Sequence, residues 1–253
     1  MKMHFLSGGR LRMRRTVYLP QADRSEMIEL PVSCVLLCHR QGNVLFDTGC
    51  HPSVAEDPEG RWGGLAKFMV PIMKPGEHVL ASLGELGLTS NDIDVVICSH
   101  LHPDHCGCNA FFRRATILIH TSELEAARAP NAEKSGYLAA DWDHPLSIEA
   151  LTGERDLFAD GHIVLIPLPG HTPGMMGALV SLAKSGRFLL ASDTVSLRAT
   201  LGSGIIPKNT WNARLLAKSL AEVAHIQSGG ATVICGHDAA QWATLRKGAD
   251  AYD

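Results

Sequence analysis

Ser99–Gly107 reads SHLHPDHCG, and these nine residues decide the fold. Four side chains able to bind a metal, His100, His102, Asp104 and His105, fall within six positions. A single histidine at a strand end is more often a hydrogen-bonded core residue than a ligand. So dense a cluster is different, because burying many ionisable groups without compensation is costly. Neutral imidazoles and a carboxylate suit Zn²⁺ first, with Fe, Mn or Co as alternatives. A loop of the form H-x-H-x-D-H cannot turn all four groups onto one tetrahedral ion. The alternation directs His100 and His102 to one ion and Asp104 and His105 to another.

The segment just before this loop, IDVVICS (Ile93–Ser99), is nearly all apolar and reads as a strand buried on both faces. The same relation recurs three times. HIVLIPLPG (His162–Gly170) leads into PGHTPG with His171, RFLLASD (Arg187–Asp193) ends on Asp193, and ATVICGHD (Ala231–Asp238) ends on His237. Layered α/β folds gather a site at the C-terminal ends of their strands, where loops converge. His171, Asp193 and His237 would complete two metal sites with seven ligands. Asp193 is the natural bridge, since a carboxylate has two oxygens to share. Two ions about 3.5–4 Å apart can hold a hydroxide and polarise a carbonyl or phosphoryl oxygen.

Outward from these loops, Thr16–Leu19 reads as a short strand. VSCVLLCHR (Val32–Arg40), a Gln41-Gly42-Asn43 turn and VLFDTG (Val44–Gly49) read as a hairpin. ATILIH (Ala115–His120) and MMGALVSLA (Met175–Ala183) are further strands. His78–Leu88 and Asn212–Ser228 carry apolar residues at helical spacing. In SELEAARA (Ser122–Ala129), Ser122 followed by Glu125 predicts a capping box. Strands with helices between them indicate an α/β layered domain covered on both faces. The chain reads as one domain, residues 1–253, with irregular insertions at about 51–79 and 130–155. The first supplies Trp62, Leu65, Phe68, Met69, Ile72 and Met73. A segment of ~30 residues with so little periodicity is more often a lid or an oligomer contact than a plain connection.

Composition narrows the function classes. Hydrophobic residues make up 45% and charged residues 19% of the 253, which is globular rather than disordered. A formal net charge of -3 argues against a nucleic-acid partner. The 7 cysteines have no framework spacing, so a reducing compartment is expected, and Cys106 and Cys108 read as small buried thiols. No apolar run reaches signal-peptide or membrane-span length, so the expected location is the cytoplasm, with no membrane partner.

The ligand order resembles the metallo-β-lactamase superfamily: H-x-H-x-D-H, then His171, Asp193 and His237 at separations of 66, 22 and 44 positions. Within it the chain looks most like the N-acyl homoserine lactonases. ELPVSCVLLCHRQGNVLFDTG (29–49), ICSHLHPDHCGCNAFF (97–112), PLPGHTPGMMGALV (167–180) and VICGHD (233–238) carry that likeness. The resemblance implies an αββα sandwich, two central sheets flanked by helices. It assigns His100, His102 and His171 to one ion, Asp104, His105 and His237 to the other, and Asp193 to both. It also places Asp47 behind the ligands, beside its local reading as a turn former.

The activity so implied is opening of a small-molecule lactone or ester by a metal-bridging hydroxide, with Asp104 carrying the proton to the leaving alkoxide. Other hydrolases of the fold (thioesterase, aryl esterase, organophosphate hydrolase) and an iron-dependent oxygenase type share the ligands. Those lactonases usually have a Tyr three residues after the bridging Asp, where this chain has Ser196. Tyr137 is the candidate to replace it from another loop. Pro103 occupies a position where an aromatic is common, which implies a reshaped acyl pocket. Trp62, Phe68 and Met69 either line an acyl channel or pack against the main domain or a partner subunit in a homodimer.

Overall fold

Along Val32–Leu37 neighbouring side chains enter different cores. Cys34 and Leu36 pack with Val79 and Leu83 of the helix Val79–Glu85, while Val35 and Leu37 pack with Met176, Ala178 and Val180. The period-2 alternation of a strand therefore separates two buried layers. The computed structural model describes residues 1–253 and contains twelve strands: β1 (Lys2–Arg14), β2 (Met27–His39), β3 (Gly42–Phe46), β4 (Val70–Pro71), β5 (Val95–Ile97), β6 (Thr116–His120), β7 (Ser147–Leu151), β8 (Arg155–Asp156), β9 (Ile163–Pro167), β10 (Met176–Leu182), β11 (Gly186–Ser192) and β12 (Thr232–Cys235).

They form a seven-stranded sheet in the order β4-β1-β2-β3-β5-β6-β7 and a five-stranded sheet in the order β12-β11-β10-β9-β8. Met3, Phe5, Phe46 and Leu118 of the first meet Leu165, Phe188 and Ile234 of the second between the sheets. On the outer face of the second sheet, Leu189, Ala191 and Val233 pack against Val223 of the helix Ala213–Ser228. This is the expected αββα sandwich. No helix is long and apolar enough to cross a membrane.

The structure departs from the sequence reading in three places. Arg15–Val17 is a 3₁₀ turn with Tyr18 just after it, not a strand; the strand is the preceding β1, whose alternation Arg10-Leu11-Arg12-Met13-Arg14 was readable. Ser122 is not a cap. The helix Thr121–Ala127 starts earlier, and the ring of His120 accepts the Ser122 N–H at 3.2 Å. The insertion at 130–155 is not wholly irregular, since β7 extends the first sheet by pairing parallel to β6.

Parallel pairing of β3, β5, β6 and β7, and of β11 with β12, brings several strand C-termini to the same edge of their sheets. The loop after β3 lies directly on β1. Gly49 has φ +72°, and a Cβ there would come 2.5 Å from the Gly8 Cα, so only glycine permits the approach.

Candidate metal centre

Each candidate ligand is delivered by the residues just past a strand: His100 after β5, His171 after β9, Asp193 after β11 and His237 after β12. The one-turn helix Pro103–Cys106 begins on a proline, whose missing N–H costs nothing there, and carries Asp104 and His105. Glu123, wholly buried, ties the region together by accepting the Leu101 N–H at 3.0 Å and the Gly174 N–H at 2.9 Å.

The seven groups converge. Ligand atoms of His100, His102 and His171 lie within 4.8 Å of one another, as do those of Asp104, His105 and His237. Asp193 joins His100 and His105, one from each set. Its Oδ1 is 3.0 Å from Nε2 of His237 and 3.5 Å from Nε2 of His105, and its Oδ2 is 3.6 Å from Nε2 of His171. One oxygen thus faces each set.

The chemistry of the donors tests whether a cation fits. Nδ1 of His105 is 2.8 Å from Asp47, Nδ1 of His237 is 2.9 Å from the Pro31 carbonyl, and Nε2 of His102 is 3.0 Å from the Ser135 carbonyl. Those oxygens only accept, so they hold the ring N–H and leave a lone pair on the other nitrogen. The free nitrogens of His105 and His237 then point at one another, and that of His102 points at His100 and His171. Nε2 of His105 and of His237 stand 3.3 Å apart, and Nδ1 of His102 stands 3.1 Å from Nε2 of both His100 and His171. Facing lone pairs repel unless a cation lies between them. Tetrahedral bonds of ~2.0–2.1 Å to nitrogen give edges of about 3.3–3.4 Å, close to what is found. Oδ1 of Asp193 is buried with no hydrogen-bond donor. The residues present fit divalent metal ions.

Electrostatics divide the two sets. Against burial, the carboxylates of Asp104, Asp47 and Asp193 raise His105 to about 10, and those of Asp193 and Asp104 raise His237, so a cation there takes the place of protons. Burial, and then the neighbouring His105, His102 and His171, hold His100 well below the usual imidazole range, so it stays a neutral donor. Burial likewise lowers His171 to about 4. Burial opposes the charge of Asp193, yet His237, His171 and His105 around it keep its carboxyl well below the usual range.

A cavity of about 690 Å³ opens onto this cluster. His102, Asp104, His171 and Asp193 line it with Pro103, Met13, Tyr18, Leu65, Met69 and Tyr137. Lys208–Trp211 forms another part of the wall, held by Lys208 N to Val17 O at 2.7 Å and Trp211 N to His171 O at 3.1 Å. The two insertions, which both contribute wall residues, are joined by Arg61. Its Nε donates to Asp141 at 2.8 Å and its Nη2 to the Ala140 carbonyl at 2.6 Å.

Of the sequence-stated substrate candidates, Met69 lines the cavity, as does Tyr137, whose ring centroid is 5.4 Å from that of His102. Three do not line it. Trp62 is buried in the core with Leu11 and Met73, and Phe68 is 73% exposed. Ser196 is buried, its carbonyl accepting the His237 N–H at 2.9 Å. Sequence reasoning missed Tyr18, Met13 and Lys208–Trp211. No local signal marks them, because they reach the cavity from elements far away along the chain.

Residues 27–237 match the family model described as the metallo-beta-lactamase superfamily. The N-acyl homoserine lactonase AttM of Azorhizobium caulinodans is 31% identical over 270 residues, covering 100% of this chain and 98% of that protein. The N-acyl homoserine lactonase AiiB of Agrobacterium fabrum is 33% identical over 248 residues, covering 90% and 87%. Among solved structures, an N-acyl homoserine lactone hydrolase with N-hexanoyl-L-homoserine at its catalytic metal centre superposes with a TM-score of 0.90. It is 23% identical, with 99% and 98% of the two chains covered.

Proposed function

Because the chain belongs to the metallo-beta-lactamase superfamily, we propose that it is a metal-dependent hydrolase that opens N-acyl homoserine lactones, the quorum-quenching reaction. One observation carries this reading. Relatives that the chain matches nearly end to end are N-acyl homoserine lactonases, and the His-Asp cluster adjoins a cavity large enough for an acyl lactone.

We assign two ions, zinc first, to the cluster: His100, His102 and His171 would hold one, Asp104, His105 and His237 the other, and Asp193 both. When bound, such ions supply Lewis acidity toward a carbonyl and a water acidic enough to attack at neutral pH. The chain's own residues do the rest. Asp104 and Asp193 are the only carboxylates lining the cavity. Asp193 is committed on both oxygens, so Asp104 is the group to take the proton of the attacking water and give it to the leaving alkoxide. Water adds to the carbonyl carbon, the ring C–O bond breaks, and the product is a hydroxy acid. Met13, Leu65 and Met69 offer apolar wall to the acyl chain.

The test is acid release from acyl homoserine lactones of increasing chain length and from simple γ- and δ-lactones. Metal-loaded protein is compared with His105→Ala. Turnover that rises with acyl length and is absent in the variant is expected. A fully metallated protein that opens no lactone overturns the reading.

A further inference from the structure

Among the hydroxyl groups lining the cavity, Tyr18 stands apart. Its side chain is 3% exposed and packed among Leu11, Leu30 and Trp62, so the ring has one position. The turn that carries it is anchored twice: the Tyr18 N–H bonds the Arg15 carbonyl at 3.1 Å, and the Val17 carbonyl accepts Lys208 N at 2.7 Å. Its hydroxyl has one hydrogen-bond partner, the thioether sulfur of Met13 at 3.4 Å. Sulfur is a weak acceptor, so the O–H is free to turn to a stronger one. Burial, and then the Asp193 and Asp104 carboxylates, push this phenol well above its usual range. Tyr18 and Met13 line the same cavity as Asp104, His171 and Asp193, so the phenol and the ligand cluster share one space. Tyr137 lines the same cavity from a different core, packed with Leu124 and Trp142, its ring centroid 5.4 Å from that of His102.

We propose that Tyr18 is a catalytic residue whose hydroxyl donates a hydrogen bond to the substrate carbonyl oxygen as it becomes an oxyanion. The proposal rests on the lactone-hydrolase reading. Water oxygen bonds to the carbonyl carbon, the carbonyl π pair moves onto oxygen, and Tyr18 stabilises that charge without giving up its proton. When the pair returns, the ring C–O bond breaks and the alkoxide takes the proton that the water lost. A donor fixed beforehand at the developing charge pays no reorganisation cost during the reaction.

The test is Tyr18→Phe, which keeps the ring and its packing and deletes one oxygen. Metal content and melting temperature are expected to match wild type, and kcat on N-hexanoyl homoserine lactone to fall on the order of 100-fold, with KM changed far less. The same pair is then assayed on the thiono analogue, whose C=S accepts hydrogen bonds poorly. There the loss from Tyr18→Phe is expected to shrink several-fold. A variant within threefold of wild type on the oxo-lactone, or one with equal losses on both substrates, overturns the role of Tyr18 and leaves the hydrolase reading standing. A metallated wild type that opens neither substrate overturns both.

Discussion

Nδ1 of His105 and Oδ2 of Asp47 stand 2.8 Å apart, with both side chains buried. The same carboxylate accepts the Ser99 N–H at 2.7 Å and the Ser99 hydroxyl at 2.8 Å. Asp47 thereby holds the proton on Nδ1 of His105 and leaves its Nε2 to the ligand cluster. Its φ of +59° is a conformation that Asp and Asn tolerate better than most residues.

Asp47→Asn keeps that backbone but must offer an N–H₂ to His105 or to Ser99. Metal affinity is expected to fall about 10- to 100-fold while the far-ultraviolet spectrum stays unchanged. Competition with a chromogenic chelator reads the change, and equal affinities would remove Asp47 from any part in orienting the ligand.

Elemental analysis is expected to find two divalent ions per chain, and Asp193→Ala to retain at most one. Chelation should also destabilise the protein, because it leaves the free nitrogens of His105 and His237 facing one another at 3.3 Å. For metal at 1,000 times its Kd the linkage is about 4 kcal/mol, or roughly 10 °C in Tm for a chain this long. Identical melting curves with and without chelator would contradict a cluster built around cations.

Asp141 is fully buried and bonded to Arg61, which is only partly exposed. Arg61→Leu strands that carboxyl, and a loss of about 3–5 kcal/mol is expected in chemical denaturation. A smaller loss, within about 0.5 kcal/mol, would mean that the pair does not hold the two insertions together.

The same carboxyl sets a pH dependence. Burial raises Asp141 from 3.8 to about 6, with Arg61 pulling the other way. The folded value lies above the unfolded one, so its stabilising contribution is full below 3.8 and is lost as pH rises through about 6. Between pH ~4 and ~7 wild type should therefore lose about 2–3 kcal/mol relative to Asp141→Asn. Denaturant titrations of both proteins across that window check the sign, and parallel curves would refute it.

Met69 lines the cavity and is only 8% exposed. Met69→Trp should narrow the space for an acyl chain. The ratio of kcat/KM for decanoyl over butanoyl homoserine lactone is expected to drop on the order of 10-fold. An unchanged ratio would direct the chain along the Lys208–Trp211 wall instead.

The layered fold was legible because its signals are local. Runs such as Val95–Ile97 and Thr116–His120 are apolar over their own length, and β2 alternates between two cores residue by residue. β1 was overlooked because Gly8-Gly9 interrupts it, and its register shifts at that point. From position and composition, Ser196 reads as a lining candidate and Trp62 as either channel wall or packing against the main domain. Trp62 sits in a core and Ser196 is buried behind His237, which only the packing of neighbouring elements decides.

What the sequence determined by itself is the candidate ligand set: seven His and Asp side chains in loops that follow strands whose own residues announce them. Tertiary structure alone decided how those ligands are aimed and what faces them. The Nδ1 of His237 is oriented by the Pro31 carbonyl, 206 positions away, and Tyr18 enters the cavity from a turn 175 positions before Asp193. Ligand chemistry belongs to the residue and can be read locally. Lone-pair direction and the identity of the opposing hydroxyl depend on contacts that exist only after long loops have closed.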